Sequence, residues 1–451
     1  MPEQPNFIVF LTDDQGWGDL GCQGSADLLT PHLDALADSG VRLPGWYSNS
    51  PVCSPSRASL LTGRYPGNAG VRSILAGHRQ ATGLSAQAPT LATALGRLGY
   101  RCFLSGKWHL GVSEPCRPHA AGFQDWFGFL AGCIDYYSHI FYWGLGPSQD
   151  PVHDLWDNNE EVWLNGEYAT DLITDRAVDQ IERAAAAEQP FFAYVAYNAP
   201  HYPMHAPEHY LKRFSHLSPE RRVMAAMLAV VDDGVGRIVA TLERLGLRED
   251  TCIVFVSDNG PSRETRNWLD GQRVPYHGGT AGGFRGHKFS LFEGGIRVPA
   301  LMSWPARIPG GRVLGGPLAS MDLFPTVLAA AGGDCAGYEL DGRDQLAYLT
   351  GVAPEPAERP IFWEMDRQTA VRQGPWKLVL DGQLEEGLPA GDAVHLAHID
   401  QDPGEQHNLA ADCPEVAQRL SASALAWREG IETRWQEQWV PAARHLTGLP
   451  G

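Results

Sequence analysis

The chain has 451 residues, of which 43% are apolar and 20% charged, with 50 glycines and 33 prolines. That composition is globular and excludes a disordered protein; the length implies one large domain of roughly 300 residues or more plus a smaller second one. A formal charge of −18 argues against a protein that holds DNA, RNA or an anionic membrane across a wide face, because such partners need a basic field.

In chain order, the apolar run NFIVFL stops at TDD, the pattern of a buried strand ending in a polar loop with Asp13 and Asp14 at its carboxyl end. Thr30 then Pro31 reads as a helix start, Leu33, Leu36 and Ala37 keep helical spacing, and Gly40 closes the segment. The alternation repeats: a helix near 90–98; the strand YRCFLS leading into GKWHLG; a helix over 171–187; the strand FFAYVAY leading to NAPHYP; a helix over 219–245; and the strand TCIVFVS leading to DNG. Such alternation predicts an α/β fold, a large mostly parallel sheet with helices on both faces, whose ligands collect beyond the carboxyl ends of the strands. After the helix-like MDLFPTVLAAAG the pattern changes near Gly342 to short strands (PIFWEM, TAVRQ, WKLVLD) and one amphipathic helix over 414–435. The expected division is a catalytic domain over 1–341 and a smaller α+β subdomain over 342–451.

No run of 18 apolar residues occurs, and the opening MPEQPNFIVFLTDDQ lacks the parts of a secretion signal. The expectation is a soluble, cytoplasmic protein. The eight cysteines are scattered with no C-x-x-C pair and no zinc-like spacing. Seven read as small buried apolar side chains; Cys53 does not.

Asp13–Asp14 and Asp258–Asn259 each follow a buried strand, and adjacent strand ends converge, so four hard oxygen donors meet in a set suited to calcium or magnesium. Either pair alone would read as loop or capping residues. In CSPSRASLLTGR, residues 53–64, a helix starting near Ser54 or Pro55 puts Cys53 at its amino end, where backbone N–H groups favour an anion, and brings Arg57 to the same side. A thiolate phosphatase would want that environment with C-x5-R spacing, but here the spacing is C-x3-R.

The same residues resemble the C-x-P-x-R-x4-TGR signature of the type I sulfatases in the alkaline phosphatase superfamily. LTDDQGWGDLGCQG, GKWHLG, NAPHYP, SDNG and GHKFSLFEGGIRVP follow in that family's order. The resemblance implies that Cys53 is converted by a formylglycine-generating enzyme to Cα-formylglycine, whose hydrated diol attacks a sulfate monoester. It also implies that Asp13, Asp14, Asp258 and Asn259 bind calcium, with modified Cys53 as a further ligand. Arg57 would hold the diol, while Lys107, Lys288 and His201 would grip the sulfate oxygens. His201 would also protonate the leaving oxygen, and His109 would be the base that expels sulfate. Each lysine and histidine alone would read as a surface charge or a satisfied loop residue.

The phrases DYYSH and WLNGEYATD resemble the branch acting on sulfated sugars, with His139 and His205 as leaving-group contacts. The expected partner is a small sulfated substrate, a sugar met in an exo-acting mode, with no nucleic acid and no membrane. Two alternatives remain from the residues: a phosphonate or phosphate monoester hydrolase of the same superfamily, and a non-catalytic sulfo-sugar binder with an unmodified Cys53.

Overall fold

The computed structural model describes residues 4–141, 151–263 and 277–441. Its centre is five parallel strands in the spatial order Thr251–Ser257, Asn6–Thr12, Phe191–Ala196, Arg101–Lys107 and Asp125–Phe129. All five are buried almost throughout, and the three runs NFIVFLT, FFAYVA and TCIVFVS are near-continuously apolar, as strands covered on both faces must be. Alternation along these runs divides the interior in two. Phe7, Val9, Leu11, Phe192, Tyr194, Val254 and Val256 face one core, packed by the helices Cys53–Thr62, Leu91–Gly96 and Leu323–Ala330. Ile8, Phe10, Phe191, Ala193, Val195, Ile253 and Phe255 face the other, packed by Pro31–Asp38, Ala169–Ala186 and Pro219–Arg244.

Both edges of this sheet turn antiparallel. Ala300–Ser303 runs against Thr251–Ser257, and Val41–Arg42 against Ala300–Ser303. On the other side Trp156–Asp157 runs against Asp125–Phe129. The expected doubly covered α/β sheet is therefore present, with mixed rims.

Register positions the chemistry. Thr12 pairs with Ser257, Leu11 with Ala196 and Ala196 with Gly106, so four strands finish at one level and their next residues share one edge. The helices expected over 171–187, 219–245 and 414–435 are Ala169–Ala186, Pro219–Arg244 and Pro414–Arg434. The helix behind residue 53 begins at Cys53 itself, after an extended Val52.

A second sheet, of the antiparallel strands Ile361–Met365, Gln368–Gln373, Trp376–Leu380 and Val394–His398, packs against Pro414–Arg434. Its other contacts are a core shared with Tyr47, Leu291, Phe292 and Ile296, and a fully buried ionic group. In that group Lys377 Nζ lies 3.0 Å from Glu293 and 3.1 Å from Glu405, and Tyr47 donates to Glu293 at 2.6 Å. Among the described residues no helix is long and apolar enough to cross a membrane.

Candidate active site

The helix Cys53–Thr62 is buried along its whole length. Pro55 falls in its first turn, where a missing N–H costs no intrahelical bond, and Gly63, with φ of 67°, closes it in the left-handed region. No side chain caps its amino end, so orphan N–H groups surround residue 53.

Three carboxylates and three cations meet there, all buried. Cys53 Sγ donates to Asp13 Oδ1 at 3.4 Å, and Lys107 Nζ donates to Asp13 Oδ2 at 2.5 Å. Arg57 donates from Nε and Nη2 to Asp258 Oδ2 at 3.0 and 2.7 Å, and from Nη1 to the Lys107 carbonyl at 3.1 Å. Asp14 has a φ of 64°; its N–H donates to Asp258 Oδ1 at 3.2 Å, and its carboxylate accepts from Asn259 Nδ2 at 2.7 Å and Lys288 Nζ at 3.0 Å. His201 Nε2 is 3.3 Å from Lys288 Nζ and 3.6 Å from Asp14 Oδ2. Its Nδ1 is 2.7 Å from the Tyr202 carbonyl. A carbonyl only accepts, so Nδ1 carries the hydrogen and Nε2 presents a lone pair to the ammonium.

Electrostatics follow from burial. It pushes the Cys53 thiol well above its ordinary range, outweighing Lys107 and Lys288, so an unmodified Cys53 is a protonated thiol, a poor nucleophile. Burial works against the Lys107 ammonium, but Asp13 more than offsets it and the charged form is favoured. The Asp258 carboxyl is raised by burial and by Asp13, against Arg57.

The donor set fits a hard cation. Ligand atoms of Asp13, Asp14, Cys53 and His201 all lie within 4.8 Å of one another, and Asn259 Oδ1 is a buried acceptor with no donor among the described residues. Carboxylate and amide oxygens are the donors calcium takes; Asp258, held by Arg57, lies outside that group of four.

The sequence model of the Sulfatase family matches residues 5–333. The chain belongs to the sulfatase family. As a sulfatase, it is 35% identical over 399 residues to the N-acetylgalactosamine-6-sulfatase of Canis lupus familiaris, covering 83% of this chain and 72% of that protein. It is 32% identical over 475 residues to arylsulfatase A of Homo sapiens, covering 93% and 87%. The solved structure of Ps i-CgsB in complex with k-i-k-neocarrahexaose superposes with a TM-score of 0.82 at 29% identity, covering 99% of this chain and 98% of that one. The phosphonate monoester hydrolase of Agrobacterium radiobacter, at TM-score 0.63 and 22% identity, shares the fold.

Of the residues expected at the site of this sulfatase, Asp13, Asp14, Cys53, Arg57, Lys107, His201, Asp258, Asn259 and Lys288 form the single network above. His109 sits at its border: its φ is 53°, Nε2 lies 3.2 Å from the Leu75 carbonyl, and the buried Nδ1 has no partner among the described residues. Burial, then Lys107 and Arg57, hold this imidazole neutral. His139 lies elsewhere. It is fully buried, with Nε2 3.1 Å from the Glu167 carbonyl, and offers no surface to a substrate. His205, its side chain 37% exposed, lies 3.2 Å from Asp135 and lines a groove with Tyr137 and Met204.

Sequence reasoning missed Gln15 and Ser257. The Gln15 N–H donates to Ser257 Oγ at 3.0 Å, which donates to the Asn259 carbonyl at 2.9 Å, tying the two acid-bearing strand-end loops together. A polar residue on each side of the strand-end acids was the available signal.

Proposed function

We propose that this sulfatase hydrolyses a sulfate monoester on a carbohydrate in an exo-acting mode, with residue 53 as Cα-formylglycine and a calcium ion held by Asp13, Asp14, Asp258 and Asn259. One observation carries the reading: a buried network of three carboxylates and three cations surrounds residue 53 at the strand ends. Relatives named N-acetylgalactosamine-6-sulfatase support a sugar substrate. The formylglycine-generating enzyme is the partner the sequence motif calls for.

When present, the ion and the hydrated aldehyde supply positive charge at the sulfate and an activated hydroxyl. The chain's own residues do the rest. Arg57 holds Asp258 and, through the Lys107 carbonyl, the strand end that carries Lys107. Lys107 and Lys288 each have three donors, so each can keep its carboxylate and still bind a sulfate oxygen. The Tyr202 carbonyl fixes the His201 tautomer, so a proton arriving at Nε2 from the Lys288 side is delivered to the departing alkoxide. His109, whose Nε2–H faces the Leu75 carbonyl, keeps Nδ1 free to accept the proton from residue 53 when sulfate leaves.

The test is a preparation co-expressed with a formylglycine-generating enzyme, its peptide 48–64 checked by mass spectrometry for aldehyde. Position-defined sulfated monosaccharides and short oligosaccharides are then assayed for free sulfate, with aryl sulfate and aryl phosphate alongside. Release from sulfated sugars, with aryl sulfate well ahead of aryl phosphate, is the expected result. An aldehyde-bearing preparation that frees no sulfate from any of them sinks the proposal.

A further inference from the structure

Just past His201 in the chain, Met204 and His205 help to line a groove that the sulfate-binding network does not use. Its volume is about 460 Å³, and its walls include Tyr137, Met204, His205, Leu211 and Arg222, a size within the ordinary range of ligand pockets, about 300–1,000 Å³. The aromatic block behind it also holds the catalytic loop. Tyr136 donates to the His201 carbonyl at 2.9 Å and Tyr168 to the His205 carbonyl at 2.8 Å, and their rings stack at 5.3 Å. The histidine proposed to protonate the leaving oxygen and the histidine lining the groove therefore ride on one rigid support.

The groove presents a cation, which is unusual for so acidic a chain. Arg221, which faces away from it, is committed, with Asp19 at 2.5 Å and Asp27 at 2.7 Å. Arg222, the next residue, makes no side-chain hydrogen bond or ion pair among the described residues, and its buried Nε has no acceptor there. Leaving a guanidinium N–H without an acceptor costs stability unless something supplies one. Asp135, the carboxylate against the lining residue His205, is already satisfied. It accepts from the Tyr137 and Ser138 N–H groups at 3.0 and 2.7 Å and from Ser138 Oγ at 2.9 Å, and lies 3.2 Å from His205 Nδ1. Asp135 stays ionised, but its oxygens are occupied by these donors, so Arg222 is the cation of the groove lining with donors left for a ligand. Tyr137 adds a half-buried aromatic ring, a surface on which a pyranose stacks.

We propose that this groove is a subsite on the leaving-group side of the bond, taking a second sugar ring that carries an anionic substituent, with Tyr137 against the ring and Arg222 on the anion. It rests on the sulfatase reading above and refines its substrate class to an acidic sulfated oligosaccharide. An acidic protein repels polyanions at long range, and a single buried-edge arginine offsets this only where the correct ring sits.

The experiment compares wild type with Arg222→Gln, Arg222→Lys and Tyr137→Ala. Four substrates are used: an aryl sulfate, a sulfated hexosamine joined to a neutral hexose, the same hexosamine joined to a uronic acid, and the same joined to a sulfated hexose. Arg222→Gln should lower kcat/KM on the acidic disaccharides by about 10–100-fold, the worth of a charge-assisted hydrogen bond. The neutral disaccharide and the aryl sulfate should be unchanged. Arg222→Lys should recover part of the loss, Tyr137→Ala should weaken all three disaccharides but not the aryl sulfate, and the two acidic arms identify carboxylate or sulfate as the anion. If Arg222→Gln changes acidic and neutral disaccharides by the same factor while aryl sulfate turnover persists, the subsite is wrong and the sulfatase reading stands. If aldehyde-bearing wild type releases sulfate from none of the four, the sulfatase reading falls and takes the subsite with it.

Discussion

Arg57→Ala tests whether the site is held together by charge balance. Arg57 and Asp258 are both fully buried, and the guanidinium supplies two hydrogen bonds to one carboxylate oxygen at 3.0 and 2.7 Å and a third to the Lys107 carbonyl at 3.1 Å. Deleting the cation leaves Asp258 beside Asp13 with no guanidinium, in surroundings that already raise its carboxyl through burial. Removing one partner of a buried pair costs about 3–5 kcal/mol, and the orphaned carbonyl adds about 1 kcal/mol or more. Against a total stability of about 5–15 kcal/mol, that is a large shift in a urea unfolding curve. Wild type and variant should both be compared as the unmodified thiol, because Arg57 also lies in the motif that the proposed modifying enzyme would read. Arg57→Lys keeps the charge without the planar fork and should recover only part of the loss. Arg183, paired with Asp179 at 2.9 Å but 53% exposed, is the control, and Arg183→Ala should cost about 0.5 kcal/mol or less. An Arg57→Ala protein within about 1 kcal/mol of wild type would refute the premise that Asp258 depends on this cation.

Asp14→Asn removes a charge from the proposed calcium set and should weaken calcium binding by at least about tenfold in titration calorimetry; unchanged affinity places the ion elsewhere. His109→Gln should cut kcat on aryl sulfate by about 100-fold with KM little changed, and an equal fall in both would mean that His109 binds substrate instead. For Glu405, burial, opposed by Lys377, pushes the carboxyl up to about 7, above the ordinary value of about 4.3. The folded state therefore holds this proton more tightly than the unfolded chain. The stability it contributes is fully present below about pH 4.3 and is lost as pH rises through about 7. Melting temperatures of wild type should fall from pH 5 to 8 more steeply than those of Glu405→Gln, and parallel profiles would assign the titration to another group.

Much of the site could be read along the chain because it is built from strand ends. An apolar run that stops at two acids, or at Asp-Asn, marks the carboxyl edge of a buried strand, and Pro55 and Gly63 bracket a helix by local rules. The helix boundaries were legible for the same reason, since spacing at three and four residues is a local property. His139 and His205 were not separable in this way. Both stand near aromatics, yet one is turned inward to the Glu167 carbonyl and the other outward to a groove.

What the sequence determined by itself is the inventory: an alternating α/β chain, acids at the ends of buried strands, and a helix that starts within a residue or two of Cys53. What only the tertiary structure decided is pairing. Arg57 meets Asp258 and Lys288 meets Asp14 across 201 and 274 residues of chain, and Arg221 finds two carboxylates while its neighbour Arg222 finds none among the described residues. Residue type and spacing act over a few positions, whereas charge neutralisation in a buried site depends on which strand lies beside which, set by the register and packing of the whole sheet.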